Sequence, residues 1–244
     1  MIPGAEQEKG KGRMTGMIKA VFLDYTGTIM REQNRYSLEM ARLIAENSSL
    51  KDISEIFRIW WGMIKQLEDA SYGEAYLTED EIANRALDRL EGEYGYCGGH
   101  EAFMELAHLF WSKSPAFEDV KDFFERCPCP IYIITNNGAE YVNVFLQDNG
   151  LRCAGVVCGD MVRAYKPHEE LFRKALEIGG LSAGEVIHVG DSVVSDGKGA
   201  RQAGIFPVLL DRERTEERTD YLTVSSLTEV LGLLSETFQK NDTE

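Results

Sequence analysis

The most constraining feature of the sequence is a set of short apolar runs that alternate with helical patterns after residue 130. Runs of four or five apolar residues without polar alternation are typical of parallel strands buried on both faces. The predicted strands are Ala20–Leu23, Ile131–Ile134, Gly155–Cys158, Val186–Val189 and Phe206–Leu210. The helical patterns that separate the last four are Ala139–Asn149, His168–Ile178 and about Ser195–Ala203. This rhythm predicts an α/β fold, in which an open parallel sheet carries helices on both faces.

Residues 31–113 interrupt this rhythm, because they contain helical patterns and no strand-like run. The patterns cover Tyr36–Glu46, Ile53–Glu68, Thr78–Leu90 and His100–Trp111. Thr78 and Glu81 have the spacing of a capping box, which indicates a helix start. We therefore predict a helical cap at 31–113, inserted into a core formed by residues 17–30 and 114–244. A cap in this position would stand over the strand ends, where a lid is useful.

Charge and hydropathy narrow the possible partners. Acidic residues outnumber basic ones by 41 to 26, and no basic stripe is present, so binding to nucleic acid or to an anionic membrane is not expected. No apolar run approaches the roughly 20 residues that cross a bilayer. Residues 1–16 are polar and lack the apolar centre of a secretion signal, so we interpret them as a disordered extension or a tag. We expect a cytoplasmic monomer or homodimer that acts on a small molecule.

The end of the first predicted strand carries the first candidate for catalysis. Asp24 follows the apolar run directly and is followed by a glycine-containing turn. Ligands of open α/β sheets bind at the carboxyl ends of the strands. Phosphoryl transfer to a carboxylate needs a rigid nucleophile and backbone amides that face the phosphate. Asp24 is the predicted nucleophile, the amides near Tyr25 and Thr26 are predicted phosphate donors, and Gly27 permits the tight backbone.

Three later segments supply the other groups that this chemistry needs. Thr135 ends the run IYIIT and provides a hydroxyl for the phosphate, with Asn136 as a further substrate-binding candidate. Lys166 provides a cation and precedes a proline that opens a helix. Asp191 and Asp196 follow a buried strand and provide carboxylates for Mg²⁺. The sequence therefore predicts one site for a phosphate group and a metal ion.

Taken together, the four motifs resemble those of the haloacid dehalogenase (HAD) superfamily, in its branch with a helical cap. The matching segments are DYTGT at Asp24, IITNN at Thr135, Lys166 before Pro167, and GDSVVSD at Asp191 and Asp196. The resemblance extends from Lys19 to about Leu234. It implies a Rossmann-like core, dependence on Mg²⁺, a small phosphorylated metabolite as substrate, and an aspartyl-phosphate intermediate.

The resemblance also implies individual roles at the site. Asp24 would carry the phosphoryl group and bind Mg²⁺ through its carboxylate. The backbone carbonyl of Thr26 and the carboxylate of Asp191 would complete the protein ligands. Asp196 would either bind the ion directly or orient a water molecule.

Thr26 is the one clear departure from the phosphatase pattern. Most phosphatases that resemble this chain have an aspartate two residues after the nucleophile, which protonates the leaving oxygen and later deprotonates water. A threonine hydroxyl is a poor acid, and general acid–base catalysis is typically worth about 10²–10⁴ in rate. We therefore expect a Mg²⁺-dependent phosphatase whose turnover is weak or restricted to good leaving groups.

Three alternatives remain open at this point. Haloacid dehalogenases need neither the acid nor a metal, because halide leaves unprotonated. Phosphonoacetaldehyde hydrolases have a small residue in this position and use a cap lysine, for which Lys51, Lys65 and Lys113 are the candidates here. The third alternative is a protein that binds a phosphorylated ligand without efficient turnover.

Trp60 and Trp61 lie in a helical pattern and are expected to pack.

Overall fold

A computed structural model describes residues 17–214 and 220–241 of the chain. The described part contains one sheet of six parallel strands in the order β3-β2-β1-β4-β5-β6. The strands are β1 Ala20–Leu23, β2 Ile131–Thr135, β3 Gly155–Cys158, β4 Val186–Gly190, β5 Phe206–Leu210 and β6 Leu222–Val224. The predicted α/β fold is confirmed. The extension predicted for residues 1–16 lies outside the described residues.

The five strands expected from the apolar runs are all present. Strands β2 and β4 each run one residue further than predicted, so Thr135 and Gly190 belong to the sheet. Strand β6 was not predicted, because only three residues pair with β5 and one of them, Thr223, is exposed. A partly exposed run of three residues is too short to show the alternation of apolar and polar residues that indicates a strand.

The segment between β1 and β2 begins with four long helices, as predicted, and contains no strand among its described residues. These helices are α1 Arg35–Glu46, α2 Ile53–Ala70, α3 Glu79–Tyr94 and α4 His100–Lys113. The predicted capping box is present, since the Thr78 amide donates to Glu81 Oε2 (2.8 Å) and the Glu81 amide donates to Thr78 Oγ1 (3.3 Å). We call α1–α4 the helical insertion. Its limits as a separate unit, 31–113, stay a prediction.

Five further helices accompany the sheet in the described part of the chain. They are α5 Val120–Arg126, α6 Ala139–Asp148, α7 Glu169–Gly179, α8 Gly199–Gln202 and α9 Leu227–Asn241. The predicted helix Ser195–Ala203 differs from the observed one, because a π-helical turn at Val193–Lys198 precedes the short α8. Single π-helical turns inside helices are frequent at functional sites.

Both faces of the sheet are buried, as the uninterrupted apolar runs indicate. Val21 and Leu23 of β1 join a large apolar cluster that includes the buried side of the helical insertion. Ala20 and Phe22 point to the opposite face and join a smaller cluster with α7 and α8. The sheet thus holds the residue after β1 in a fixed position. No helix in the described part of the chain has the length and apolarity needed to cross a membrane.

Candidate active site

Asp24 lies at the carboxyl end of the central strand β1 and is only 6% exposed. Its amide donates to the carbonyl of Val189 in the neighbouring strand (2.9 Å), which fixes the backbone at the sheet edge. The chain then turns tightly, because the amides of Ile29 and Met30 both donate to the carbonyl of Tyr25 (2.9 Å each). The Tyr25 hydroxyl is buried and donates to the carbonyl of Trp111 (2.7 Å). Any contact of Tyr25 with substrate would therefore come from its backbone.

Lys166 links two of the predicted carboxylates. Its Nζ donates to Asp24 Oδ1 (2.5 Å) and to Asp196 Oδ1 (2.6 Å), and all three side chains are buried. Burial opposes the ammonium charge, but the two carboxylates outweigh it and raise the pKa of Lys166. Burial also raises the pKa of Asp24, and the negative charge of Asp196 adds to this while Lys166 works against it. Lys166 is therefore a fixed cation beside the predicted nucleophile.

Asp196 has hydrogen bonds to both of its oxygens. His188, in the middle of β4, places Nε2 2.9 Å from Asp196 Oδ1, the oxygen that also accepts from Lys166. The Ser192 amide donates to Asp196 Oδ2 (3.0 Å). Burial opposes the charge of Asp196, but Lys166 and His188 outweigh it and hold the pKa of this carboxyl well below its usual range. These contacts favour an orienting role for Asp196 over direct binding of an ion.

Asp24, Asp191 and Asp196 converge closely enough to share one cation. Each offers an oxygen, and these oxygens lie within 4.8 Å of one another. The Asp191 side chain is exposed at the cavity wall, yet its surroundings desolvate it, and together with the charges of Asp24 and Asp196 this raises the pKa of Asp191. Three carboxylates against the single ammonium of Lys166 leave two negative charges uncompensated. A divalent, oxygen-seeking ion such as Mg²⁺ fits this donor set.

Gly27 and Gly190 leave the space that these carboxylates occupy. Gly27 has a φ of +81°, and a Cβ there would lie 2.3 Å from Asp191 Oδ2. A Cβ on Gly190 would lie 2.2 Å from Asp196 Cγ. Neither position has room for a side chain unless an acidic group moves. The glycines of DYTGT and GDSVVSD therefore shape the acidic cluster.

The two threonine hydroxyls predicted at the site meet on one amide. Thr26 Oγ1 donates to Asn137 Oδ1 (2.8 Å), and Thr135 Oγ1 donates to the same oxygen (3.2 Å). Asn136, the other predicted substrate-binding residue, accepts from the backbone amide of Lys166 through Oδ1 (2.8 Å). The structure thus brings most of the predicted site residues to one cavity: Asp24, Thr26, Asn136, Lys166, Asp191 and Asp196. Thr135 is fully buried and does not line this cavity, and the Tyr25 hydroxyl is directed to Trp111. Several of the predicted residues are already bonded to one another.

Glu79, the first residue of α3, joins this arrangement from the helical insertion. Its Oε1 accepts from Asn137 Nδ2 (2.6 Å), and its Oε2 accepts from the Gly138 amide (2.7 Å). Burial raises the pKa of Glu79 well above its ordinary value. The capping box predicts that α3 starts at Thr78. It does not predict the contacts of Glu79, because it gives no information about the groups that the next side chain faces.

A cavity of about 420 Å³ lies between the helical insertion and the strand ends. Its aromatic wall comprises Trp60, Trp61, Phe110, Trp111 and Tyr165. Its carboxylates are Asp24, Glu32, Glu68, Glu79, Asp191 and Asp196, and its cations are Lys65 and Lys166. Trp60 packs as expected, with its ring 4.6 Å from that of Phe103. That both tryptophans also border the cavity was not predicted.

Comparison with known proteins gives one family. Residues 18–204 match the family model described as haloacid dehalogenase-like hydrolase. The comparison with curated proteins gives no match.

Three similar solved structures carry different functional descriptions. The putative HAD-hydrolase YfnB from Bacillus subtilis, bound to magnesium, has a TM-score of 0.74 and 22% identity over 90% of this chain and 100% of that one. An L-2-haloacid dehalogenase from Xanthobacter autotrophicus has a TM-score of 0.74 and 18% identity over 90% and 99%. A HAD phosphatase from Thermococcus onnurineus has a TM-score of 0.62 and 23% identity over 89% and 98%. At these identities the likeness establishes the fold alone, and the reaction has to be argued from the site.

Proposed function

The chain belongs to the haloacid dehalogenase-like hydrolases, and from this premise we propose that it is a Mg²⁺-dependent phosphatase acting on a small phosphorylated metabolite. The observation that carries the proposal is the cluster of three carboxylates around one buried lysine at the end of β1. Asp24 is the proposed nucleophile. Its neighbours in the sheet hold it rigid, which is what in-line attack on a phosphorus atom requires.

The ion would be held by the Asp24 and Asp191 carboxylates and the backbone carbonyl of Thr26, and when bound it supplies positive charge for the transferring phosphoryl group. Lys166 supplies a second positive charge from the protein itself and keeps Asp24 oriented (2.5 Å). Asp196 holds Lys166 in place, and His188 in turn holds Asp196. Without these cations the acidic cavity would repel an anionic substrate.

The site gives less support to the alternative reactions. A dehalogenase needs no metal, and that reaction would leave the charge of the carboxylate cluster uncompensated. A Schiff base needs a neutral amine, but the Nζ of Lys65 lies 2.7 Å from Asp69 Oδ1. Lys51 bonds to the backbone carbonyl of Ser48 (2.8 Å), and Lys113 pairs with Asp148 (2.6 Å). Of these three lysines only Lys65 borders the cavity.

The metal requirement is tested with Asp191→Asn. The substitution keeps the size of the side chain and removes one of the two proposed carboxylate ligands. We expect the Mg²⁺ concentration for half-maximal phosphate release to rise by at least about 10-fold. Mg²⁺ should also raise the melting temperature of the wild type and raise that of the variant less, because only a bound ion stabilises the fold. Colorimetric phosphate release and scanning calorimetry measure the two effects.

Asp122→Asn is the matched control, since Asp122 is an exposed carboxylate that pairs with Arg126 and does not line the cavity. Its response to Mg²⁺ should equal that of the wild type. Full turnover of the wild type in EDTA would contradict the proposal and favour the dehalogenase alternative.

A second prediction concerns Thr26. An aspartate at this position accepts hydrogen bonds but cannot donate one, so its carboxylate would face Asn137 Oδ1. The amide of Asn137 would have to turn, and its oxygen would then face Glu79 Oε1. Glutamine at position 79 can donate to that oxygen. We therefore expect Thr26→Asp alone to gain no activity, and Thr26→Asp with Glu79→Gln to hydrolyse alkyl phosphates about 10-fold faster than Thr26→Asp alone.

Glu79→Gln alone is the control for this pair of substitutions and should stay close to the wild-type rate. Steady-state phosphate release from an alkyl phosphate gives the comparison. If the single variant Thr26→Asp gained as much as the double variant, the proposed conflict at Asn137 would be wrong.

A further inference from the structure

The proposed phosphatase lacks a group that gives a proton to the leaving oxygen, because Thr26 is a poor acid and its hydroxyl is bonded to Asn137. Outside the carboxylate cluster, three carboxyl groups border the cavity in the described part of the chain: Glu32, Glu68 and Glu79. The contacts and the exposure of these three carboxyl groups differ, and this decides which of them can serve as the acid.

The carboxylate of Glu79 is already engaged in hydrogen bonds. Both of its oxygens accept hydrogen bonds from the loop after β2, from Asn137 and Gly138. Glu32 is an exposed residue that also borders a second cavity together with Asp191, so it stands on the metal side of the site. Both oxygens of Glu79 are therefore engaged, and Glu32 is more exposed to solvent than Glu68.

Glu68 lies on the face of α2 that looks into the cavity. Trp61, Ile64, Lys65 and Glu68 all border it, and their spacing of three, four and seven residues places them on one face of the helix. The side chain is half-buried. Asn136, the residue that follows β2, borders the same cavity. Asn136 Oδ1 accepts from the amide of Lys166 (2.8 Å), and Lys166 also borders the cavity, so Glu68 faces the same space as the catalytic lysine.

We propose that Glu68 is the catalytic acid and base of the reaction, supplied by the helical insertion in place of the residue at position 26. The inference rests on the proposed function. In the first step an oxygen of Asp24 attacks phosphorus, the bond from phosphorus to the ester oxygen breaks, and that oxygen takes the proton of Glu68. In the second step the Glu68 carboxylate takes a proton from water as the water oxygen attacks the phosphoryl group. Phosphate leaves, Asp24 regains its carboxylate, and Glu68 regains its proton.

The electrostatic setting of Glu68 suits both steps. Burial raises the pKa of Glu68 to about 7, although Lys65, Asn136 and Lys166 each lower it in part. An acid–base group works best when its pKa lies near the working pH, because both forms are then populated. The acid form is lost as the pH rises above this pKa, so kcat/KM for an ester with a poor leaving group should fall on the alkaline side of about 7.

Glu68→Gln tests the inference with two substrates in the presence of Mg²⁺. For n-butyl phosphate, a poor leaving group, kcat/KM should fall by about 100-fold or more. For 4-nitrophenyl phosphate, whose leaving group needs little protonation, it should fall by less than about 5-fold. The alkaline limb of the pH profile with n-butyl phosphate should also disappear. A side chain with a purely structural role would lower both activities together and leave the limb in place, and that result would overturn the inference.

Two further variants complete the experiment. Glu55→Gln removes an exposed carboxylate from the first turn of the same helix and should leave both activities and the pH profile unchanged. Glu68→Asp keeps an acid with a shorter reach and should retain part of the activity together with a pH limb, which covers the case that the glutamine variant does not fold. If Glu68→Asp were no more active than a folded Glu68→Gln, the inference would fail. If the wild type released no phosphate from either substrate, the proposed function itself would be refuted before any variant was compared.

Discussion

The substitution Asp24→Asn is expected to abolish phosphate release and, in the metal-free protein, to raise the melting temperature. An amide oxygen is not a nucleophile for phosphoryl transfer, and removal of a covalent nucleophile costs at least about 10⁴-fold in kcat. The stabilisation has a separate cause. Asp24 is buried at a sheet edge beside two other carboxylates, so its ionised form carries a cost in the folded state.

The sign of the stability effect follows from the direction of the pKa shift. Burial and Asp196 raise the pKa of Asp24 above its value in the unfolded chain, so the folded protein binds a proton that the unfolded chain releases. Its contribution to stability is therefore present at low pH and is lost as the pH rises through the folded pKa. The Asp24→Asn variant has no carboxyl group at this position, so it does not lose this stability as the pH rises. Its advantage in melting temperature over the wild type should be largest near neutral pH and should shrink as the pH falls toward the ordinary pKa of aspartate.

Calorimetry without metal across this pH range, together with phosphate release in Mg²⁺, measures both effects. Asp122→Asn again provides an exposed control and should change neither quantity appreciably. Activity within a few-fold of the wild type would refute a covalent mechanism on Asp24. A variant with a lower melting temperature at every pH would show that the carboxylate stabilises the fold.

Most of the sheet could be predicted from the sequence, because strands buried on both faces appear as almost uninterrupted apolar runs. The candidate residues Asp24, Thr135 and Asp191 were found for a related reason. Each ends or directly follows an apolar run, and the ends of parallel strands meet at one edge of the sheet. The positions of these residues at the ends of predicted parallel strands were enough to predict that they lie close together.

Residues that act across elements could not be found in this way. His188 lies inside β4 between two apolar residues, so its contact with Asp196 leaves no mark on the pattern. Glu79 and Asn137 are 58 residues apart, and their contact depends on how the helical insertion sits on the sheet. The π-helical turn at Val193–Lys198 has the composition of a normal helix start. Within it, the side chain of Asp196 is held by Lys166 and the Ser192 amide, and both contacts depend on the folded chain.

Replacement of Lys166 by methionine is expected to lower the free energy of unfolding by about 3–5 kcal/mol and to eliminate turnover. Lys166 is 3% exposed and is paired with Asp24 and Asp196, which are also buried. Removing one partner of a buried ion pair leaves uncompensated charge, and this costs more than the pair contributed. For a chain of this size each kcal/mol corresponds to roughly 2–4 °C in melting temperature.

A second substitution separates the electrostatic cause from lost packing. In Lys166→Met with Asp196→Asn one of the two stranded charges is gone, so the double variant should recover much of the stability but none of the activity. Lys113→Met, which breaks the exposed pair with Asp148, should cost less than about 1 kcal/mol. If the double variant were as unstable as Lys166→Met, the loss would come from packing.

Mg²⁺ and pH give the same experiment a further test. Without Lys166 the pKa values of Asp24 and Asp196 should rise, because burial is no longer opposed by the ammonium charge. The stability of Lys166→Met should therefore increase relative to the wild type as the pH falls and these carboxylates take up protons. Mg²⁺ at neutral pH should raise the melting temperature of this variant by more than that of the wild type, since the ion then meets three carboxylates with no competing cation. A smaller rise than in the wild type would mean that Lys166, rather than the charge of the cluster, organises the metal site.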